Sequence, residues 1–261
     1  MPFILSGLYR YPIKSSQGQR LQQSQVLRSG LPFDRSWVIA QPNGKILTGR
    51  ECPKLVLLSA EPSAEGLTLS APDMPTLFVA MGLFSHIHPA NRWETQLSTY
   101  HGASDADAWC SAYLGEQVIL LWVGFEFNRQ NSVGEPITLV DAEPLLLIGE
   151  GSLADISHRL DRKLSMQRFR PNLIVQGCDA FAEDSWKKIR MGEVVLSVLK
   201  PCPRCVFTTI DPDTAEKSPD QEPLRSLAKY RKSAAGVLFG QYLTVEKAGI
   251  ISEGMEVEIL D

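Results

Sequence analysis

The residues with the clearest chemical potential are two cysteines, Cys202 and Cys205, in the segment KPCPRCVFTTIDPDT. A structural zinc site needs four ligands, usually two such pairs or one pair with spaced histidines. No second C-x-x-C exists here, and the four histidines all precede the pair at a distance along the chain. A thioredoxin-like dithiol begins a helix, whereas the residues after Cys205 favour a strand. Zinc and redox-dithiol sites are therefore both disfavoured.

An arginine within the pair points to a different chemistry. Arg204 precedes Cys205 directly, and a guanidinium is costly to bury without an anion. A thiolate beside an arginine, in an irregular segment between strands, is typical of a ligand to a soft metal whose other ligands come from a cofactor. A buried structural pair of cysteines is the alternative, because free cysteine is commonly a small core residue.

The segment LLLIGEGSLADI predicts a second feature, a glycine turn between a strand and a helix. Ser152 is the expected N-cap, and free amide N–H groups at such a helix start can bind an anion. Gly151 would let a ligand approach closely. The P-loop and dinucleotide glycine patterns are absent, so nucleotide binding is not predicted. Cys205, Arg204, Arg170 and a set of basic residues near the N-terminus would together suit a phosphate-bearing metal cofactor.

Charge supports a small anionic ligand and argues against nucleic acid. The 261-residue chain has a net charge of −4 and a pI near 5.7, whereas general nucleic-acid binders are usually basic. Residues 1–54 nevertheless hold eight Lys/Arg against two acids, so this segment is +6 and the remainder −10. An unevenly charged surface is the alternative interpretation.

Targeting signals are absent from the sequence. The N-terminal residues lack a basic region followed by a long apolar run, and no window approaches the roughly 18–20 apolar residues of a membrane helix. Five cysteines at scattered positions do not form a disulfide framework. These observations predict a cytoplasmic protein that does not contact a membrane.

The fold is predicted to be mainly β with a few helices. Short β-rich runs such as RSWVIAQ, KLVLLSAE, QVILLWVG and CVFTTI are separated by Gly, Pro, Asn and Asp. Helices are expected in SDADAWCSAYLG, GEGSLADISHRL and EPLRSLAKYRK. We place a boundary near Gly115, which divides the chain into an N-terminal β domain, residues 1–115, and a C-terminal β-barrel, residues 116–261.

Several stretches resemble one known family. LYRYPIKSS, FDRSWVI, GSLADISHRL, RFRPNLIVQGCDAFAEDSW, KPCPRCVFTTIDPDT and LFGQYLTVE occur in the order expected of proteins with a MOSC (molybdenum-cofactor-sulfurase C-terminal) domain. In that family an N-terminal β domain precedes the MOSC β-barrel. Within it, the chain is most similar to the mitochondrial amidoxime-reducing component and its bacterial relatives.

The resemblance implies a molybdenum cofactor (Mo-molybdopterin) bound between the two domains, with Cys205 as the molybdenum ligand. Position 203 departs from the family pattern, which has a polar residue there; a proline cannot donate a backbone hydrogen bond. The residues implied in cofactor binding are Lys14, Ser15, Arg35, Gly151, Ser152, Arg170, Pro203, Arg204 and Tyr242.

The implied activity is reduction of N-hydroxylated compounds such as amidoximes, hydroxylamines and N-hydroxylated bases. Molybdenum would take the oxygen, and two electrons and two protons would reset it. Asp179 is a candidate for proton delivery or for orienting Arg170. The sequence contains no plant-type ferredoxin cysteine run, so a separate ferredoxin, flavodoxin or cytochrome-type donor is expected. The alternative is a cofactor carrier or sulfur-transfer protein without turnover.

Overall fold

The computed structural model describes residues 2–92, 95–127 and 129–260. Within these residues it contains three α-helices, α1 (Ser104–Leu114), α2 (Glu150–Leu160) and α3 (Leu224–Tyr230). The strands of the same residues are β1 (Phe3–Arg10), β2 (Gln19–Arg20), β3 (Gln23–Val26), β4 (Trp37–Ala40), β5 (Ser59–Pro62), β6 (Gly66–Ser70), β7 (Leu77–Ala80), β8 (His86–Arg92), β9 (Thr95–His101), β10 (Ile119–Trp122), β11 (Arg129–Gln130), β12 (Pro136–Ile137), β13 (Leu145–Gly149), β14 (Leu173–Gln176), β15 (Lys188–Met191), β16 (Val194–Arg204), β17 (Lys232–Ser233), β18 (Gly236–Lys247), β19 (Gly249–Ser252) and β20 (Glu256–Leu260).

A closed β-barrel is formed by the largest sheet of the described residues. Seven strands follow one another around it in the order β13, β14, β1, β20, β15, β16 and β18, and pairing of β18 with β13 closes the ring. Only β13 and β14 pair in parallel among these neighbours; the other pairs are antiparallel. Closure leaves these strands without open edges. Fully buried side chains that fill the barrel include Leu5, Leu147, Val175, Leu196 and Leu243.

Two smaller sheets and one helix enclose a second hydrophobic core. The sheet β4-β10-β9-β8 and the sheet β5-β6-β7 are joined by α1 around buried Trp37, Leu55, Leu67 and Leu120. Helix α1 ends at Gly115, which adopts a left-handed conformation with φ of 79° as the predicted stop requires. The predicted mainly β fold, with an N-terminal β domain and a C-terminal barrel, is confirmed.

The strand pairing crosses the boundary predicted at Gly115. Strand β1 lies in the barrel, where Leu5 is opposite Val175 of β14 and Phe3 is opposite Val257 of β20. Strand β10, which follows the boundary, pairs with β4 in the N-terminal sheet. The division into residues 1–115 and 116–261 therefore does not separate the two sheet systems. Strand pairing is non-local, so periodicity alone does not identify the sheet that a strand joins.

Two segments predicted as strands contain 3₁₀ helices instead. Pro53–Leu57 precedes β5, and Val206–Thr209 follows Cys205 directly. In the second segment the hydroxyl groups of Thr208 and Thr209 donate to the carbonyl oxygens of Cys205 and Val206, at 3.1 and 2.7 Å. These local hydrogen bonds offset the β propensity of Val and Thr. The predicted strand after Cys205 is thus wrong.

Candidate functional site

A cavity of about 590 Å³ lies between the barrel and the loops that lead from β1 to β4. Its wall combines the loop after β1, the start of β14 and the facing ends of β16 and β18. The structure brings together eight of the residues predicted from the sequence: Lys14, Ser15, Arg35, Arg170, Pro203, Arg204, Cys205 and Tyr242.

Two of these arginines share one aromatic ring. The guanidinium carbons of Arg170 and Arg35 lie 4.0 and 4.4 Å from the ring centre of Tyr11, which is fully buried. Burial, followed by the charge of Arg35, lowers the pKa of Arg170 to about 10. Arg170 is therefore a cation at neutral pH, and the Tyr11 ring stabilises the two guanidinium groups close together.

Arg35 is held by a polar network beneath the cavity. It forms an ion pair with Asp34, which is 2% exposed, and donates to Asn172 Oδ1 at 3.3 Å and to the carbonyl oxygen of Arg170 at 3.3 Å. Asn172 in turn donates to Asp34 Oδ2 at 3.1 Å. The carboxylate therefore fixes one guanidinium and the start of β14 together.

The backbone is strained at three of the predicted residues. Ser15, Arg35 and Arg170 have φ values of 68°, 49° and 54°, in the left-handed region that side-chain-bearing residues rarely adopt. The chain holds them there through hydrogen bonds; for example, Arg35 N–H donates to the carbonyl oxygen of Tyr11 at 2.8 Å. Such strain concentrates at ligand-binding sites.

The cysteine pair is asymmetric. Cys202 is 2% exposed and accepts a hydrogen bond from Arg204 Nη1 at 2.9 Å, whereas Cys205 is exposed at the end of β16. The chain between them is largely extended, so about 10 Å of strand separates their Cα atoms at roughly 3.3 Å per residue. This exceeds the reach of a disulfide. Arg204 is further fixed by a hydrogen bond from Nη2 to the carbonyl oxygen of Phe169, at 2.6 Å.

The cavity fits an anionic cofactor with a soft metal. Arg170 Nη2 and Arg204 Nε are buried without a hydrogen-bond partner within the described part of the chain. Buried donors of this kind are normally satisfied, so the surroundings of these two would suit a ligand with acceptor groups. The described residues include no cluster of three or more His, Cys, Asp or Glu placed to hold a metal. A metal at Cys205 would therefore take its other ligands from the cofactor.

The predicted residues Gly151 and Ser152 do not line this cavity. Helix α2 begins at Glu150, so Ser152 lies within its first turn and its hydroxyl donates to Glu183 Oε1 at 2.7 Å. Gly149 N–H donates to the same oxygen at 3.1 Å. The helix start that was predicted to bind an anion is thus closed by a carboxylate of the chain itself.

Asp179 also lies outside the cavity. It is exposed in the turn after β14, whereas Arg170 precedes that strand. The four residues of β14 alone span about 13 Å, so Asp179 cannot orient the Arg170 guanidinium. That guanidinium instead donates through Nη1 to the carbonyl oxygen of Ser16.

Other residues of the cavity wall were not predicted. Between two of them, Thr48 and Arg50, Gly49 lies against the turn that follows Cys205: a Cβ at this position would lie 2.4 Å from Phe207 Cε2. Only glycine permits this approach without a shift of the ring. The RPN stretch held a signal for Asn172, a polar residue at the start of a buried strand. The further lining residues include Thr48, Arg50, Glu143, Phe169, Asn172 and Lys200.

Comparison with known proteins identifies two domains. Residues 134–258 match the MOSC domain, and residues 3–117 match the MOSC N-terminal beta barrel domain. Mitochondrial amidoxime reducing component 2 of Bos taurus is 34% identical over 96% of this chain and 81% of its own length. Mitochondrial amidoxime-reducing component 1 of Homo sapiens is 32% identical over 98% of this chain and 82% of its own length.

Among solved structures, the YUAD protein from Bacillus subtilis is similar over 98% of this chain and 94% of its own, with 15% identity and a TM-score of 0.46. No helix within the described ranges is long and apolar enough to cross a lipid bilayer.

Proposed function

This chain belongs to the MOSC-domain family that includes the amidoxime-reducing components, and we propose that it is a molybdenum-cofactor-dependent reductase of N-hydroxylated compounds. The proposed substrates are amidoximes, hydroxylamines and N-hydroxylated bases. A separate electron-transfer protein of the ferredoxin, flavodoxin or cytochrome type supplies the electrons.

One observation carries this proposal: an exposed thiol, Cys205, lies in the same cavity as guanidinium groups whose buried N–H donors include two without a partner among the described residues. Thiolate is a ligand for soft metals, and guanidinium is suited to phosphate. A cavity that offers both, in a family with this domain pair, suits a phosphate-bearing metal cofactor better than either a simple metal ion or a nucleotide.

Different residues of the cavity would bind different parts of the cofactor. Cys205 would ligate molybdenum, and Lys14, Ser15, Arg35, Arg170 and Arg204 would bind the pterin and its phosphate. When bound, the cofactor supplies the two-electron chemistry that removes oxygen from an N–O bond. Lys14 Nζ is held at 3.1 Å from the carbonyl oxygen of Leu139 and 2.7 Å from Asp141, which positions its charge at the cavity wall.

The chain also controls access to the metal site. Cys205 is exposed, so a small substrate reaches this end of the cavity without a movement of the barrel. Tyr242 also lines the cavity and is 9% exposed. Its pKa is raised by burial and, to a smaller extent, by the neighbouring Cys202. Its phenol therefore stays protonated and can donate a hydrogen bond at physiological pH.

The test is molybdenum stoichiometry and N–O reduction in protein from a host that makes molybdopterin. We expect the wild-type chain to bind molybdenum and to reduce benzamidoxime with an artificial low-potential electron donor. Cys205→Ser should lower the rate by at least about a hundredfold, because it removes the thiolate ligand. Cys110→Ala is the matched control, since this cysteine is fully buried in the N-terminal core.

Each contrary outcome has a separate meaning. Stoichiometric molybdenum without N–O reduction would favour a cofactor carrier or sulfur-transfer protein. Zinc in place of molybdenum would contradict both functions. Equal losses of activity in Cys205→Ser and Cys110→Ala would show that the exposed thiol has no special role.

A further inference from the structure

A second cavity, of about 460 Å³, adjoins the cavity around Cys205. Each volume lies in the range of small-molecule sites, so one cavity can hold a cofactor while the other stays open to a further ligand. The two cavities share one wall, which is formed by Lys14, Thr48, Arg50 and Asp141. The rest of the second cavity is lined by Lys45, Ile46, Glu51 and Asn91.

Arg50 lies where the two cavities meet, beside the turn that follows Cys205. Its neighbour Gly49 lies against the ring of Phe207, which belongs to that turn. The carbonyl oxygen of Arg50 accepts a hydrogen bond from Lys217 Nζ at 2.9 Å. The backbone of Arg50 is thus fixed from two sides, while the residue itself is exposed. Its guanidinium is therefore accessible to a ligand that also reaches the Cys205 end of the first cavity.

The charges of the second cavity leave one cation in excess. Asp141 forms an ion pair with Lys14 at 2.7 Å, and Glu51 forms one with Lys45 at 3.0 Å. Arg50 has no ion pair within the part of the chain that the structure describes. The pair of Lys45 and Glu51 is exposed and contributes little to stability, so Lys45 can also contact an incoming anion.

This excess charge distinguishes among the substrates proposed above. Amidoximes and simple hydroxylamines are largely uncharged at neutral pH, so they form no ion pair with a guanidinium. An N-hydroxylated base can instead carry a sugar phosphate, an anion that guanidinium binds in bidentate geometry. We infer that the second cavity is a phosphate subsite, in which Arg50 and Lys45 bind the 5′-phosphate of an N-hydroxylated nucleotide. This inference rests on the proposed function and makes the nucleotide, rather than the nucleoside, the preferred substrate.

The first experiment compares two substrates on the wild-type protein and needs no variant. Protein loaded with cofactor in a molybdopterin-producing host reduces N4-hydroxycytidine and its 5′-monophosphate, with an artificial low-potential electron donor. We expect kcat/KM to be at least about tenfold higher for the monophosphate, because its phosphate gains hydrogen bonds to charged groups. Raising the salt concentration from about 0.05 to about 0.5 M should reduce this preference, since salt screens exposed charges.

The second experiment assigns the preference to Arg50. Arg50→Gln should lower the ratio of the two kcat/KM values about tenfold, and Arg50→Lys, which keeps the charge but not the bidentate geometry, should restore part of it. The ratio is independent of any loss that both substrates share. Lys187→Gln is the matched control, because Lys187 is an exposed cation before β15 that lines neither cavity, and it should leave the ratio unchanged. The pterin content of each variant is measured by fluorescence after oxidation.

Equal kcat/KM values for nucleoside and monophosphate in the wild-type protein would overturn the inference while leaving the proposed function intact. A preference that Arg50→Gln does not change would do the same. Loss of pterin from Arg50→Gln, with equal losses on both substrates, would show that Arg50 binds the phosphate of the cofactor, and this result would also overturn the inference. Wild-type protein that holds no pterin and reduces neither substrate would instead remove the proposed function, and the inference with it.

Discussion

The cavity around Cys205 and the start of helix α2 both carry the sequence signals of an anion site, yet they differ in whether the chain supplies acceptors for their hydrogen-bond donors. At α2, Glu183 accepts hydrogen bonds from Gly149 N–H and from the Ser152 hydroxyl. In the cavity, Arg170 Nη2 has no partner within the described residues. A binding site is therefore distinguished from a structural contact by hydrogen-bond donors that the fold leaves without an acceptor, and not by the presence of donors alone.

The backbone shows the same contrast. At the start of α2, Gly151 permits close internal packing: a Cβ there would lie 2.5 Å from the carbonyl oxygen of Cys178. In the cavity, Ser15, Arg35 and Arg170 adopt left-handed conformations that glycine would adopt at lower cost. The cavity therefore keeps side chains at positions where conformation alone favours glycine.

The largest expected effect concerns the α2 side of this comparison. Glu183→Ala should lower the free energy of unfolding by about 2–4 kcal/mol, because it leaves buried Gly149 N–H and the Ser152 hydroxyl without their acceptor. Urea unfolding measures this change. Cofactor retention in the folded fraction should stay unchanged. Arg190 forms an exposed ion pair with Glu258 at the surface of the barrel, and Arg190→Ala, measured in parallel, should cost less than about 1 kcal/mol. A similarly small cost for Glu183→Ala would show that the carboxylate does not hold the helix start.

A smaller effect is expected from pH on the cavity side. Arg170 has a pKa lowered to about 10, chiefly by burial, and a bound anion would raise it again. Below pH 10 the guanidinium is charged in both the empty and the bound protein, so cofactor affinity should be constant. Above pH 10 only the bound form keeps the proton, so affinity should fall by up to about tenfold per pH unit.

Equilibrium dialysis of the loaded protein between pH 8 and 11, with pterin fluorescence as the readout, checks this dependence. Lys14→Gln removes the neighbouring ammonium, and the decrease should persist in this variant if Arg170 is responsible. A decrease that begins below pH 9 would exclude Arg170 as its source.

The smallest effect concerns the strained backbone. Ser15→Gly should raise the free energy of unfolding of the cofactor-free protein by about 0.5–1 kcal/mol, because φ of 68° costs glycine little. Gly151→Ala is the reverse exchange at α2 and should destabilise, since its Cβ would meet backbone atoms. Thermal unfolding of both variants gives the signs; a loss of stability in Ser15→Gly would show that the hydroxyl contributes more than the conformation costs.

Much of the fold follows from local patterns, whereas the site depends on contacts that no local pattern contains. The three helices and the β-rich character were predictable from capping residues and periodicity, and Gly115 ends α1 as expected. The 3₁₀ turn after Cys205 was not, because threonine hydroxyl groups offset the strand propensity of their own segment.

The same limit applies to the predicted site residues. Cys205, Arg204 and Arg170 lie in one cavity. They could be grouped from the sequence because the stretches that contain them carry a family-specific pattern. Gly151 and Ser152 looked equally suitable, but a carboxylate thirty-one residues further along the chain closes their helix start. Glu143 gave no sequence signal, because its ion-pair partner Lys200 is distant along the chain.

The place of β1 in the barrel has a consequence for biosynthesis. Phe3 pairs with Val257, so β1 lacks this neighbour until the chain has been translated through β20. The N-terminal sheets and α1 involve residues 37–122 only, and their contacts can form while the rest of the chain is still being translated. Ring closure must wait for β20. The barrel can therefore close only after the N-terminal sheets have had the opportunity to fold.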